Sequence, residues 1–134
     1  MTQLGGSSLI NGDFHIHLCE IARIVRCDKI HVYIDSERES SESEMSRSRI
    51  DFLRVCTTHG VNAKASQRRA TENYLASETI KSVLGDNYTE LEHYQLLKSA
   101  KKPWSKVDNW KIVRAMDFDQ IKDTDLGEFL TNLP

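Results

Sequence analysis

The chain is poor in the residues that staple small secreted proteins or interrupt regular structure. Of its 134 residues only three are cysteine, two are proline and six are glycine. An odd and sparse set of thiols, Cys19, Cys27 and Cys56, is typical of a reduced cytoplasmic protein rather than of a disulfide framework. So little glycine and proline excludes collagen-like and wholly disordered chains. We therefore expect one ordinary cytoplasmic domain with a hydrophobic core of its own.

Long apolar runs and a dominant charge are also missing. No stretch approaches the roughly 18 consecutive apolar residues of a membrane span, and no signal pattern opens the chain, so we expect no membrane partner. The 18 basic and 20 acidic residues leave a net charge of −2, which excludes a global basic footprint. A role on nucleic acid would therefore need a local basic patch or bound metal ions. The glycine-rich loops that cradle nucleotide phosphates are absent as well.

The hydrophobic pattern of the first half predicts alternating helices and strands. A helix is expected from residue 13 to about residue 26, with Asn11 or Asp13 as its N-cap. The β-branched and aromatic run at residues 30–34 predicts a strand, a second helix is expected at about 46–58, and a shorter strand at 61–64. This order indicates an α/β fold with a parallel sheet flanked by helices.

The second half has a different pattern, made of short helical pieces. They are expected at residues 71–84, 91–97, 110–116 and 124–133. We therefore divide the chain into an α/β core at residues 1–70 and a helical C-terminal extension of the same domain at residues 71–134.

The carboxyl end of the first predicted strand carries the most informative pair of side chains. Asp35 and Glu37 follow it with one residue between them, and ligand sites in open α/β sheets lie beyond the carboxyl ends of strands. Two carboxylates so spaced can aim at a common hard cation such as Mg²⁺. The alternative interpretation is a strand that ends in a solvated acidic loop.

Two later segments offer a further carboxylate and a cation. Glu72 follows the pair Arg68-Arg69 and is a candidate metal ligand, with either arginine as a phosphate contact. Alternatively, Thr71 caps a helix and Glu72 occupies its first turn. Lys106 lies between two tryptophans in a lysine-rich decapeptide, where aromatic packing could hold it against a phosphate. The alternative there is a solvated basic loop with one buried tryptophan.

Taken together, the order and spacing of these segments resemble a known family. Gly5-Gly6-Ser7-Ser8, a helix, and the strand ending at residues 32–38 are similar to the second half of a Toprim domain. Residues 69–75, 104–112 and 124–130 resemble the C-terminal region of the overcoming-lysogenisation-defect (OLD) family. Those proteins join an ABC-type ATPase to a Toprim nuclease, and several serve in phage defence. The resemblance covers nearly the whole chain.

The resemblance implies a metal-dependent DNA endonuclease or nickase. Asp35 and Glu37 match the Asp-x-Asp pair that binds the catalytic Mg²⁺ or Mn²⁺ in that family, and Glu72 matches the acidic residue that helps to hold a second metal. Lys106 is similar to the lysine that stabilises the scissile phosphate. Two ions about 3.5–4 Å apart clamp the attacking and leaving oxygens of such a displacement. The implied partners are DNA, an ABC-type ATPase domain or chain, and further copies of the chain itself.

Two departures from the family pattern bear on activity. The acidic pair ends in Glu37 rather than in a second aspartate, which is one methylene shorter. The family's first strand, with its catalytic glutamate, is expected ahead of Gly5-Gly6, so we expect a Toprim-like domain truncated at its N-terminus. Whether the chain is an enzyme by itself is left open. The alternative is a non-catalytic interaction or dimerisation module that docks to a separate ATPase chain.

Overall fold

The computed structural model describes residue 10 and residues 14–134. The expected caps Asn11 and Asp13 and the segment Gly5-Gly6-Ser7-Ser8 lie outside the described residues. The helices are α1 (Phe14–Ala22), α2 (Arg47–Thr58), α3 (Ser77–Leu84), α4 (Asn109–Ala115) and α5 (Asp125–Thr131), and the strands are β1 (His31–Ile34) and β2 (Asn62–Ala65). Within this part of the chain, no helix is both long and apolar enough to cross a membrane.

The two strands form a parallel pair, which confirms the α/β class at the coarse level. His31 is opposite Asn62 and Ile34 is opposite Ala65. A parallel pair needs a crossover connection, and α2 lies in that connection. The expected strand and helix positions here are correct to within a residue or two.

The chain divides into two compact units. The first unit contains the described residues up to Ile34 together with Glu44–Ala65, and the second contains Asp35–Ser43 together with Ser66–Pro134. The core of the first unit is formed by Leu18, Phe52, Cys56 and Val61; half-buried side chains of β1 and β2 pack against it.

The second unit has its own core. Its buried side chains come from α3, α4, the segment between them and the residues just before α3: Leu75, Ile80, Leu91, Leu97, Trp104 and Ile112. Ile80 and Ile112 are completely buried. Trp104 is also buried, and its indole N–H donates to Asn109 Oδ1 at 2.9 Å. This bond satisfies the one polar group that the tryptophan brings into the core.

Two helix expectations are corrected by the structure. Helix α1 ends at Ala22, short of the expected end near residue 26, so Ile24 lies outside it and is 88% exposed. The helix expected at 91–97 is absent; only a 3₁₀ turn, Leu97–Ser99, is found there. The reason is tertiary: the Asn73 amide donates to the carbonyls of Glu92 and Gln95, and Leu91 and Leu97 are buried from an irregular backbone.

The helix expected at 71–84 is interrupted. Residues Thr71–Tyr74 form a 3₁₀ turn, and α3 starts only at Ser77. Between them Leu75 and Ala76 have extended backbone dihedrals. Consequently Glu72 lies on a short turn rather than on a regular helix. The helices expected at 110–116 and 124–133 are confirmed as α4 and α5.

Alkaline pH is predicted to destabilise the first unit through Cys56. Burial raises the pKa of the Cys56 thiol from 9.0 to about 11, so the unfolded chain loses that proton first. Stability is therefore fully present below pH 9 and falls from there to about pH 11, by at most ~1.4 kcal/mol per pH unit. Urea titrations at several pH values measure the slope. Cys56→Ala is the control, and an equally steep alkaline loss in this variant would contradict the assignment.

A methyl group at Gly127 is predicted to disrupt α5. A Cβ there would overlap the Ile121 carbonyl oxygen and lie 2.7 Å from Lys122 Cα. Gly127→Ala should therefore cost about 1–3 kcal/mol, although alanine normally favours a helix by about 1 kcal/mol over glycine. Gly60→Ala is the comparison: Gly60 has open space but φ +73°, and we expect about 1–2 kcal/mol from the backbone alone. A stabilised Gly127→Ala protein in urea titration would refute the clash.

Candidate functional site

An open cleft of about 500 Å³ lies in the second unit. Three of the four residues singled out from the sequence line it: Glu37, Glu72 and Lys106. Arg69 and Trp104 line it as well. Acidic and basic side chains thus face the same solvent-accessible space, and the indole of Trp104 lies on its surface.

The turn that carries the acidic pair is held by hydrogen bonds to the segment 66–69. Ser36 is buried; its N–H donates to Ser66 Oγ at 2.9 Å, and its own hydroxyl donates to the Arg68 carbonyl at 2.8 Å. The Glu37 N–H donates to the Arg69 carbonyl at 2.8 Å. These bonds set the direction in which the chain leaves Asp35 and presents Glu37.

Glu37 has an unusual backbone conformation. Its φ of 55° is the one positive value at a non-glycine residue in the described part of the chain. A left-handed residue with a Cβ costs roughly 1–2 kcal/mol, so the surrounding hydrogen bonds must enforce it. Strain of this kind is concentrated at functional sites, and here it falls on a residue that the sequence had already singled out.

Asp35 joins the acidic turn to the turn that carries Glu72. Its Oδ1 accepts hydrogen bonds from the Thr71 N–H and the Thr71 hydroxyl, both at 2.8 Å. Asp35 thus holds the start of the 3₁₀ turn Thr71–Tyr74. The alternative in which Thr71 caps a helix is corrected, since the N-cap position is Ala70 and the Thr71 hydroxyl donates to Asp35.

Glu72 and Lys106 form a close ion pair. Glu72 Oε1 lies 2.7 Å from Lys106 Nζ, and the glutamate side chain is only 7% exposed. The hydrogen bond to Glu72 raises the pKa of Lys106; burial opposes it, and the charges of Glu72, Asp35 and Glu37 raise the pKa further. Lys106 is therefore a stable ammonium within electrostatic range of all three carboxylates. Four residues from three separate sequence segments are brought together.

Arg69 is the cation that faces Glu37. Its Nη2 lies 3.3 Å from Glu37 Oε2, and its side chain is 14% exposed. Its Nη1 donates to the Arg38 carbonyl at 3.2 Å. The sequence suggested Arg69 only as an alternative to Arg68 for a phosphate contact, and the pairing with Glu37 was missed. The only available signal was the Arg-Arg pair just before Thr71-Glu72.

Asp125, in the first turn of α5, binds the segment 66–74 through hydrogen bonds. This buried carboxylate accepts from the Gln67 N–H at 2.9 Å and from the Tyr74 hydroxyl at 2.6 Å. The Tyr74 hydroxyl in turn accepts from the Arg68 N–H at 3.1 Å. Sequence reasoning missed this role, because an acidic residue in the first turn of α5 is already favourable for the helix itself.

The donor chemistry of the site fits a hard divalent cation. Asp35, Glu37 and Glu72 offer carboxylate oxygens, the ligands that Mg²⁺ and Mn²⁺ prefer. Across residue 10 and residues 14–134, no three His, Cys, Asp or Glu side chains already stand close enough to share one ion. Glu37 and Glu72 instead face Arg69 and Lys106, so binding an ion would require at least one exchange of partners.

The comparisons with known proteins add no relative. No family model, curated protein or solved structure matches this chain. The resemblance to the OLD and Toprim proteins therefore remains an expectation, and the functional argument depends on the chemistry of the cleft.

The bond between Asp125 and Tyr74 is predicted to stabilise the second unit. Asp125→Asn replaces one acceptor by an NH₂ group that faces a donor, and it should cost about 2–3 kcal/mol; Tyr74→Phe should cost about 1–2 kcal/mol. Because the residues are in direct contact, the double variant should cost less than the sum of the two. Urea titration measures all three. Asp119→Asn, at an 82%-exposed carboxylate, is the control, and strict additivity would contradict the coupling.

Proposed function

We propose that this chain is the C-terminal part of a Toprim-like nuclease domain of the OLD type, which hydrolyses DNA phosphodiester bonds with Mg²⁺ or Mn²⁺. One observation carries the proposal. Glu37, Glu72 and Lys106 line one cleft, with Lys106 Nζ 2.7 Å from Glu72 Oε1, and Asp35 holds the turn that carries Glu72 through Thr71, although these residues come from three segments far apart in sequence. A hydrolytic phosphodiester site needs this combination of carboxylates for metal ions and a fixed cation for the phosphate.

The three carboxylates would hold the metal ions. Asp35 and Glu37 would bind from the turn after β1, and Glu72 from the 3₁₀ turn. Bound there, divalent ions supply Lewis acidity and lower the pKa of a bound water. Asp35 already bonds Thr71 through Oδ1, so the same side chain that binds metal also keeps the two turns together.

Lys106 would stabilise charge on the phosphate. Its pairing with the buried Glu72 keeps it protonated and limits the positions of its Nζ. A preorganised cation is worth more in a cleft than in bulk water, because no solvent must reorganise as charge develops. The side chain remains 62% exposed, so a ligand in the cleft can reach it.

The metal ions would also reconcile a net charge of −2 with a polyanionic substrate. The carboxylates of Glu37 and Glu72 line the cleft, and each repels a phosphodiester wherever neither a basic side chain nor a metal ion neutralises it. Each divalent ion adds two positive charges at that point and reverses the local field. DNA binding by this chain should therefore depend on divalent cations far more than on surface lysines.

An interaction module is the second candidate, supported by the first unit. Ile24 is 88% exposed and Ile16 is 60% exposed. Within the described residues, β1 and β2 each pair along one edge only. Open edges and exposed apolar side chains are features that partners cover. This candidate predicts self-association or docking to an ATPase chain without cleavage, which light scattering of the purified chain measures.

Nicking of supercoiled plasmid by the purified chain tests the leading proposal. We expect nicking in Mn²⁺ or Mg²⁺ that is lost on chelation. Asp35→Ala should abolish it, and Lys106→Ala should slow it by about 100-fold or more, as for other removed charge-stabilising donors. Asp119→Ala and Lys122→Ala remove a carboxylate and an ammonium from an exposed ion pair and should leave the rate unchanged.

Two results would count against the nuclease. The first is nicking that Asp35→Ala leaves intact, which would assign the activity elsewhere. The second is a chain that neither nicks DNA nor binds Mn²⁺ at millimolar concentration. Circular dichroism and urea titration of each variant separate a lost site from a lost fold.

A further inference from the structure

Arg69 lines the cleft, and its guanidinium does not have all of its hydrogen bonds satisfied by the described residues. The Nη2 of its guanidinium lies 3.3 Å from Glu37 and its Nη1 donates to the Arg38 carbonyl. Its Nε is buried and has no hydrogen-bond partner among the described residues. A buried N–H without a partner is costly, so a ligand oxygen within reach of this Nε would stabilise the guanidinium.

The contact between Glu37 and Arg69 is also open to exchange. It joins one oxygen and one nitrogen at 3.3 Å, and the Glu37 side chain is 35% exposed. The carboxylate is therefore accessible to a dissolved cation, although the Arg69 side chain is only 14% exposed. A divalent cation that binds Glu37 would replace Arg69 there and leave a mostly buried guanidinium without a counter-ion, which is costly unless an anion takes the place of Glu37.

The surroundings of the released guanidinium indicate which anion would replace Glu37. Arg69, Lys106 and Lys98 all line the same cleft. A guanidinium binds phosphate oxygens through two parallel N–H bonds, which a single ammonium cannot do. A phosphodiester is thus the class of ligand that fits the vacated arginine.

We propose that Arg69 is an exchange residue: it neutralises Glu37 in the metal-free cleft and binds the substrate phosphodiester once a divalent cation has taken Glu37. This inference rests on the proposed function, since it needs the cation. It assigns Arg69 a contact with substrate that Arg68 does not share. The Arg68 guanidinium stacks on the Tyr74 ring at 4.6 Å and donates to the Asn73 carbonyl at 2.7 Å, so its contacts are structural.

Arg69→Gln should change two binding constants in opposite directions. Removing a positive charge beside Glu37 should raise the affinity for Mn²⁺ alone about threefold to tenfold. Removing a guanidinium from the phosphate should lower the affinity for DNA in the presence of metal about tenfold. The probes are Mn²⁺, followed by electron paramagnetic resonance, and a fluorescein-labelled 12-mer DNA, followed by anisotropy in Ca²⁺ to avoid turnover.

Two neighbouring variants complete the experiment. Arg69→Lys keeps the charge and should leave Mn²⁺ affinity within about twofold of the unmodified chain, while DNA binding falls because the two-bond contact is lost. Arg68→Gln should lower stability in urea titration without raising Mn²⁺ affinity.

The outcomes separate this inference from the function on which it rests. Opposite shifts for Arg69→Gln support the exchange. A parallel fall in both affinities would mean that Arg69 only holds the cleft in shape, and unchanged affinities would mean that it plays no part; either result overturns the exchange while the nuclease stands. An unmodified chain that binds no Mn²⁺ would instead overturn the proposed function, and the exchange with it.

Discussion

A carboxylate as enclosed as that of Glu72 needs a cation beside it. Lys106 supplies that cation, and the other side chains of the site surround this ion pair. With 7% of the glutamate side chain exposed, an unpaired charge there would be expensive to desolvate. Lys106 meets it at 2.7 Å. The partnership in turn limits where the ammonium of Lys106 can go. The rest of the cleft is arranged about this fixed pair.

The support for Glu72 comes from an irregular backbone segment and from the side chains that bind it. The residues that bring Glu72 and Arg69 into place lie on an irregular stretch, 66–74, which a helix could not present in this way. Asn73 is 2% exposed and binds two carbonyls of a distant loop, while Asp125 binds the same stretch from α5. Irregular backbone buried to this degree must have its polar groups satisfied by side chains, and these two residues do so.

The same irregular backbone explains which elements and site residues could be predicted from the sequence and which could not. β1 and α4 follow local patterns, one β-branched and the other periodic, and both were predictable. Asp35, Glu37, Glu72 and Lys106 were found as separate candidates, but only folding shows that they share one environment. The false helix at 91–97 had apolar residues that do become buried; the capture of its carbonyls by Asn73 is a tertiary effect with no local signal. Arg69 was ambiguous because its partner lies 32 residues away.

Acidic and basic side chains neutralise each other in the cleft in the absence of a ligand. Glu37 and Glu72 are each matched by a basic side chain of the same unit, so neither carboxylate of the cleft stands without a counter-charge. An anion that enters such a cleft alone meets the carboxylates of Glu37 and Glu72. A cation that enters alone must displace the ammonium of Lys106 or the guanidinium of Arg69. In the proposed function, a cation on Glu37 frees Arg69 for a phosphodiester, and because linkage is reciprocal the phosphodiester strengthens cation binding by the same factor. On that proposal, a cleft that pairs its own charges favours the complete metal–substrate assembly over either component alone.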